Sequence, residues 1–333
     1  MGAISQKLKM GLIVALGVWL VIELITWPLA PKRMDNQAEQ ARNTETAMRG
    51  SELLGWELVA GESRAFGVTR PTTINALGTR NPELGPKRPG TLRILTLGDS
   101  SVYGVMVEDA EVFSSVAARD LQHALGRPVQ AINGGVPGYS SEQARRLYTH
   151  RLADLEPDVL IIATLWSDSQ PGPAPDAIRF GAEGSTLKHV ARWSNAFRLL
   201  EGWLLGWRPA EQVGWMLSEG PEGRRVPLPA YQANLELLAS LAESSGALVV
   251  FLMLPSNRDL GPTALEAPRP AYRAQMRRVA QRPGAVLVST PELFNGGGAN
   301  LFFDDVHPTA TGHAIIGQAL GRAIADKLGA AKR

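Results

Sequence analysis

The sequence predicts a three-layer α/β/α fold on a central parallel sheet of five strands, preceded by one N-terminal transmembrane helix. Three observations carry that prediction. From residue 92 onward, short apolar runs alternate with segments of helical periodicity, the pattern of strands joined by crossover helices. The runs are nearly continuous in apolar character, so both faces of the sheet are covered. Ahead of them, residues 10–31 (MGLIVALGVWLVIELITWPLAP) carry a single charge, Glu23, over a length that spans a bilayer as a helix.

The elements follow in chain order. Residues 1–9 form a short tail, and 10–31 read as a membrane anchor with Trp27 at its far end, where aromatic residues sit at the interface. A cleaved signal peptide is the rival reading, because Lys7 and Lys9 precede the apolar core. Pro28 and Leu29 before Ala30 make a poor small-x-small cleavage site, which favours an uncleaved anchor. Glu23 is costly in hydrocarbon and reads as a residue near the interface. Lys32, Arg33, Arg42 and Arg49 on the far side balance Lys7 and Lys9, so charge does not settle the orientation. Residues 32–50 are polar without sustained periodicity and read as a tether.

Residues 51–333 form the main domain. Glycine and proline punctuate 51–90, which reads as short strands and turns. Strands are predicted at 92–97, 129–133, 158–164, 247–254 and 285–289, with helices at 112–125, 141–155, 231–245, 272–282 and 309–328. Between the third strand and the third helix-strand unit (231–254), about 170–229 reads as a helical insertion. Phe197, Leu200, Leu204 and Trp207 fall on one helical face there, and Trp193, Trp203, Trp207 and Trp215 all lie within it.

Composition narrows the function. A chain of 333 residues with 44% hydrophobic residues buries a full core, and a net charge of +2 without basic runs argues against nucleic-acid binding. There are no cysteines, which excludes disulfides, thiolate metal sites and cysteine nucleophiles. The histidines lack ligand spacing, so no metal is expected, and the absence of phosphate-binding glycine signatures argues for no cofactor.

In an open parallel sheet, ligands bind beyond the carboxyl ends of the strands. Here those ends carry GDSS (98–101), NGGVPGYSS (133–141), LWSDS (165–169), PSN (255–257) and FFDDVHPTATGH (302–313), five loops that converge on one rim. His307 stands three residues after Asp304, a spacing at which a carboxylate fixes the imidazole tautomer and stabilises its cation. A serine on a neighbouring loop completes an arrangement that activates a hydroxyl nucleophile. Ser100 falls at a strand-helix junction whose backbone N–H groups face an anion, and Gly135 permits close backbone approach. Read alone, GDSS is an N-capping turn; with DDVH and the glycine-rich loop in this order, the nucleophile reading prevails. Asp99 is read as a loop-holding residue, since Asp304 has the better spacing for the acid, and His313 as structural.

These residues resemble the SGNH hydrolase (GDSL-type esterase/lipase) superfamily, over roughly residues 52–326, and in particular its membrane-anchored bacterial members. The first block matches at Gly98, Asp99 and Ser100, the second at Gly135, and the last at Asp304 and His307. The lead-in TINALGTR (73–80) is also similar, though no chemistry attaches to it. The third block departs: the family's Gly-x-Asn-Asp reads Leu165-Trp166-Ser167-Asp168 here, and Ser167 has a shorter reach than the usual Asn. The resemblance implies a flavodoxin-like SGNH fold and a Ser100 acyl-enzyme, with His307 as base then acid and Asp304 orienting it. Ser100, Gly135 and Ser167 would form the oxyanion hole, with Asp99 and Asp168 supporting the loops. It further implies a single-pass membrane protein with an extracytoplasmic catalytic domain, an acylated carbohydrate or lipid as substrate, and a membrane or envelope protein as partner. Water as acceptor gives an esterase and a sugar hydroxyl an O-acyltransferase. A non-catalytic binding module that keeps the fold is the reading from another class.

Overall fold

The computed structural model describes residues 2–29, 47–51, 53–172, 175–180, 194–197, 199–200, 223–261 and 269–330. Helix α1 spans Gly2–Thr26. Among the described residues, no helix is long and apolar enough to cross a membrane. The expected anchor at 10–31 is therefore not supported here, and its last two residues lie outside the described ones. Glu23 has protein donors. Its carboxylate accepts from the Ser194 hydroxyl and, at 2.6 Å, from the Asn195 N–H.

Most of the expected tether at 32–50, namely 32–46, also lies outside the described residues, but its end is structured. Strand β1 (Met48–Ser51) pairs antiparallel with β2 (Gly55–Leu58), and Arg49 meets Glu57 across the ladder at 2.6 Å. Cross-strand opposite charges favour this register, which extends the domain back to about residue 47. A second hairpin joins β3 (Gly61–Ser63) to β4 (Thr72–Ile74).

The central sheet is all parallel. It comprises β5 (Leu92–Gly98), β6 (Val129–Gly135), β7 (Val159–Ala163), β8 (Leu248–Met253) and β9 (Val286–Ser289), in the order β6-β5-β7-β8-β9. Every residue of β5 and β7 is buried, in keeping with their largely apolar runs; Arg93 of β5 is buried with its guanidinium bonded to Gln130 and the Leu155 carbonyl. The chain leaves β5 toward β6 and returns across it to β7, so the strand order reverses at β5. The crevice at such a reversal is where open α/β sheets bind ligands. Ser100 begins α2 (Ser100–Tyr103), directly after that strand.

Helices cover both faces. On one, α3 (Phe113–Leu125) packs along α8 (Ala310–Ala330); on the other, α4 (Ser141–Leu147), α6 (Leu228–Ser244) and α7 (Pro270–Val279) pack in series. Between β7 and α6 lies the short α5 (Asp176–Arg179). The helix expected over 141–155 is shorter than its periodicity suggests. After Leu147 the chain widens into a π turn at Tyr148–Leu152 and tightens into a 3-10 turn at Ala153–Leu155, ending at Glu156 in the left-handed region. Of the insertion at 170–229, the neck is described, closed by a bridge between Pro171 and Arg224. Leu204 and the four tryptophans at 193, 203, 207 and 215 lie outside the described residues.

Candidate active site

The nucleophile turn forms for local reasons. Asp99 N-caps α2, its Oδ1 accepting the Ser101 N–H at 3.0 Å, and Gly104 ends the helix at φ +85. Gly98 must be glycine. A Cβ there would lie 2.6 Å from the Ala163 carbonyl oxygen of β7 and 2.3 Å from Val102. Arg80, the end of the TINALGTR lead-in, is buried and holds the far end of the turn. Its Nη1 donates to the Tyr103 and Gly104 carbonyls at 2.8 Å, its Nη2 to Val107 at 2.7 Å, and its guanidinium lies 4.7 Å from the Tyr103 ring centroid. Sequence reasoning missed it; the signal was an arginine in a lead-in otherwise without a task.

The loop before α8 supplies the other two groups. His307 Nδ1 lies 2.6 Å from Asp304 Oδ2, and His307 Nε2 lies 2.7 Å from Ser100 Oγ. With the Nδ1 proton directed to Asp304, Nε2 presents its lone pair to the Ser100 hydroxyl. The other Asp304 oxygen accepts the N–H groups of Val306 and His307, each at 2.9 Å. Partial burial raises the Asp304 carboxyl, but the His307 ring and these two N–H groups outweigh it and hold the pKa below the usual carboxylate value. The structure thus brings Ser100, Asp304 and His307 into one relay. His313, by contrast, is buried against Phe113, whose N–H it accepts at 3.1 Å; burial first, then the Arg80 and His307 charges, push its pKa down to about 3.

The Gly135 N–H, expected as an oxyanion donor, is already engaged within β6. Gly135 is the last residue of β6, and its N–H donates to Asn133 Oδ1 at 2.9 Å. Its lack of a side chain serves packing, because a Cβ would lie 2.3 Å from the Tyr103 nitrogen. Asn133 in turn donates through Nδ2 to the Val102 and Tyr103 carbonyls, joining β6 to the nucleophile helix. The glycine that turns the loop is Gly138, at φ +79, and no acceptor for its N–H is found among the described residues. Its carbonyl accepts from Arg225 Nη1 at 2.7 Å. That arginine is buried at the insertion's neck, paired with the fully buried Asp176 at 2.7 Å.

Ser167 is buried in the turn after β7. Asp168 and Asp99 are buried beneath the rim. Asp168 Oδ1 accepts the Ser141 N–H at 2.8 Å, which ties the third loop to the start of α4, while its Oδ2 has no hydrogen-bond partner among the described residues. Burial pushes the Asp168 pKa up to about 7, and that of Asp99 to about 6, against the hydrogen bonds each receives.

A doubly wound α/β sheet with a serine, an imidazole and a carboxylate in one relay at its switch point defines the class of serine hydrolase folds. Residues 96–315 match the GDSL-like lipase/acylhydrolase family, and the chain belongs to that family. It is an ester-hydrolysing enzyme. None of the curated proteins matches the chain. Among solved structures it is similar to LAE5, an α/β hydrolase from the metagenome of Lake Arreo, Spain, at 18% identity and a TM-score of 0.48, covering 70% of this chain and 94% of that one. It is also similar to a lipase/acylhydrolase from Enterococcus faecalis, at 15% identity and a TM-score of 0.44, covering 71% and 96%. A third is the psychrotrophic esterase EstA from Pseudoalteromonas sp., at 16% identity and a TM-score of 0.46, covering 72% and 99%.

Proposed function

We propose that the chain is a membrane-anchored serine esterase that removes ester-linked acyl groups from an envelope glycan or lipid through a Ser100 acyl-enzyme. The observation that carries the chemistry is the relay itself: His307 Nε2 at 2.7 Å from Ser100 Oγ, with Asp304 at 2.6 Å behind Nδ1. Ser100 Oγ attacks the acyl carbon as its proton passes to Nε2; the C–O bond to the alcohol then breaks as Nε2 returns that proton to the leaving oxygen. Water, deprotonated by the same nitrogen, releases the acid and restores Ser100. Asp304 keeps the ring oriented and stabilises its cationic form throughout. The oxyanion is met by the Ser100 N–H, the Ser167 hydroxyl and, since Gly135 is engaged by Asn133, the Gly138 N–H.

The anchor reading rests on the sequence, whose run at 10–31 overlaps α1, and on the exposure of Ile13, Leu16, Leu20 and Leu24 along that helix. An anchored enzyme with its catalytic domain outside the cytoplasm meets envelope glycans and lipids, which motivates the substrate class. The test is fluorophosphonate labelling of the full chain in detergent, read by peptide mapping, with Ser100→Ala and His307→Ala alongside. Labelling at Ser100 that depends on His307 is expected; no labelling of the folded chain overturns the mechanism and leaves a binding module. Adding a saccharide acceptor to the acyl-enzyme then separates hydrolysis from O-acyl transfer.

A further inference from the structure

The loop that carries both Asp304 and His307 is exposed, and Asp304 is half exposed, yet the relay needs His307 fixed against a serine 207 residues away. Two handles from other strand ends grip the peptide units between them. Ser101, the second serine of GDSS, donates its hydroxyl to the Val306 carbonyl at 2.9 Å. From the loop after β8, the Asn257 N–H donates to the Asp305 carbonyl at 2.9 Å, and Asn257 Nδ2 donates to Asp305 Oδ1 at 2.8 Å. Consecutive carbonyls are thus held from two different strand ends, one by the nucleophile's own turn and one from the loop after β8.

The handle at Asn257 is itself braced. Ser256, just before it, donates from its N–H to Asp259 Oδ2 at 2.7 Å, and Arg273 pairs with both Asp259 oxygens at 2.7 Å and with the Leu254 carbonyl at 3.1 Å. That guanidinium is buried and lies 5.6 Å from the Trp166 ring centroid, beside Ser167. A buried, two-pronged ion pair has a fixed geometry, so Asn257 is presented from a rigid base. The hydrogen bonds within the His loop do not substitute for this. The Asp304 side chain bonds to Val306 and His307 and shapes the turn, but those bonds would move with it as a body.

We propose that Ser101 and Asn257 are positioning residues that clasp the Asp304–His307 loop and set the distance from His307 Nε2 to Ser100 Oγ. This rests on the relay proposed above. It explains the doubled serine and the doubled aspartate of the two motifs: Ser100 and Asp304 belong to the relay, while Ser101 and Asp305 fix its two halves together. A misplacement of about 1 Å at a reacting centre can cost on the order of a hundredfold in rate. Loss of the Ser101 hydroxyl bond, or of the Asn257–Asp305 side-chain bond, is therefore expected to slow labelling at least tenfold. The latter is the bond that Asn257→Ala and Asp305→Ala remove, while the Asn257 N–H bond to the Asp305 carbonyl stays.

The experiment follows fluorophosphonate labelling rates and turnover of p-nitrophenyl acetate in the full chain for Ser101→Ala, Ser101→Thr, Asn257→Ala, Asp305→Ala and Asp305→Asn. A low-field imidazole proton resonance of His307 and thermal unfolding are recorded for each. The expected result is a loss in kcat with KM held for Ser101→Ala, Asn257→Ala and Asp305→Ala. Recovery to within about threefold is expected in Ser101→Thr and Asp305→Asn, which keep the hydroxyl donor and the side-chain acceptor. Wild-type rates in folded Ser101→Ala and Asn257→Ala overturn the proposal, as does an equal loss in Ser101→Thr and Ser101→Ala. If the wild type itself fails to label, the esterase mechanism fails, and the clasp is judged on the resonance. Broadening or loss in the Ala variants supports it, and an unchanged signal in both overturns it.

Discussion

Asp168→Asn tests whether a buried carboxyl under the rim is held neutral. Asp168 is fully buried; Oδ1 accepts the Ser141 N–H at 2.8 Å, and Oδ2 meets no donor among the described residues. Burial lifts its pKa from 3.8 to about 7, against the Ser141 bonds and the Arg225 charge that act to lower it. Between those values the native chain keeps a proton that the unfolded chain has released. Its contribution to stability is therefore fully present below about pH 4 and is lost as pH rises through about 7. The span is roughly three pH units at about 1.4 kcal/mol each, on the order of 4 kcal/mol. Asparagine keeps the acceptor toward Ser141 and the volume but cannot ionise. Urea unfolding at several pH values between about 4 and 8.5 should show the variant gaining on the wild type by that amount as pH rises. Taking the difference between the two chains removes the parallel contribution of Asp99. A difference that stays constant within about 1 kcal/mol would refute the assignment.

Gly135→Ala places a Cβ 2.3 Å from the Tyr103 nitrogen and 2.7 Å from the Val102 carbonyl carbon, both backbone atoms. Overpacking of this kind costs about 1–3 kcal/mol, so the urea midpoint should fall with the slope unchanged. Arg225→Ala leaves Asp176 fully buried without that partner and frees the Gly138 carbonyl. A loss of about 3–5 kcal/mol is expected, partly recovered when Asp176→Asn is added, with unfolding of the four chains as the check. Ser167→Ala should lower kcat about a hundredfold with KM held, the cost of one oxyanion donor; unchanged turnover of p-nitrophenyl acetate would remove Ser167 from the hole.

The sheet was legible because β5 and β7 are buried on both faces, which demands mostly apolar runs, broken in β5 only by Arg93 and Thr96. Asp304 and His307 were legible because their contact closes within three residues, and Ser100 because chain order placed its loop on the same rim. The helix at 141–155 was misread in its second half. Side-chain periodicity sees which face is apolar, not whether the backbone at Tyr148 widens to a π turn. Gly135 was misread for a reason the sequence did contain. An Asn two residues ahead bonds the backbone N–H in an Asx turn, and Asn133 removes that donor by this means.

What stayed hidden has one physical cause. Arg80, Asn133, Arg225 and Ser101 act on backbone carbonyls from elements distant in sequence. A carbonyl carries no residue identity, so nothing at the receiving position marks the bond. The donors are ordinary polar residues whose burial is decided by tertiary packing, and a buried arginine looks in sequence like an exposed one. The reacting groups, by contrast, are constrained in type by the chemistry and in place by the strand ends. A departure such as Ser167 for Asn can therefore be seen in one residue, whereas the rigidity that would let a shorter donor serve comes from the bracing around it. Arg273 lies against Trp166 on one side of Ser167, and Asp168 is fastened to Ser141 on the other.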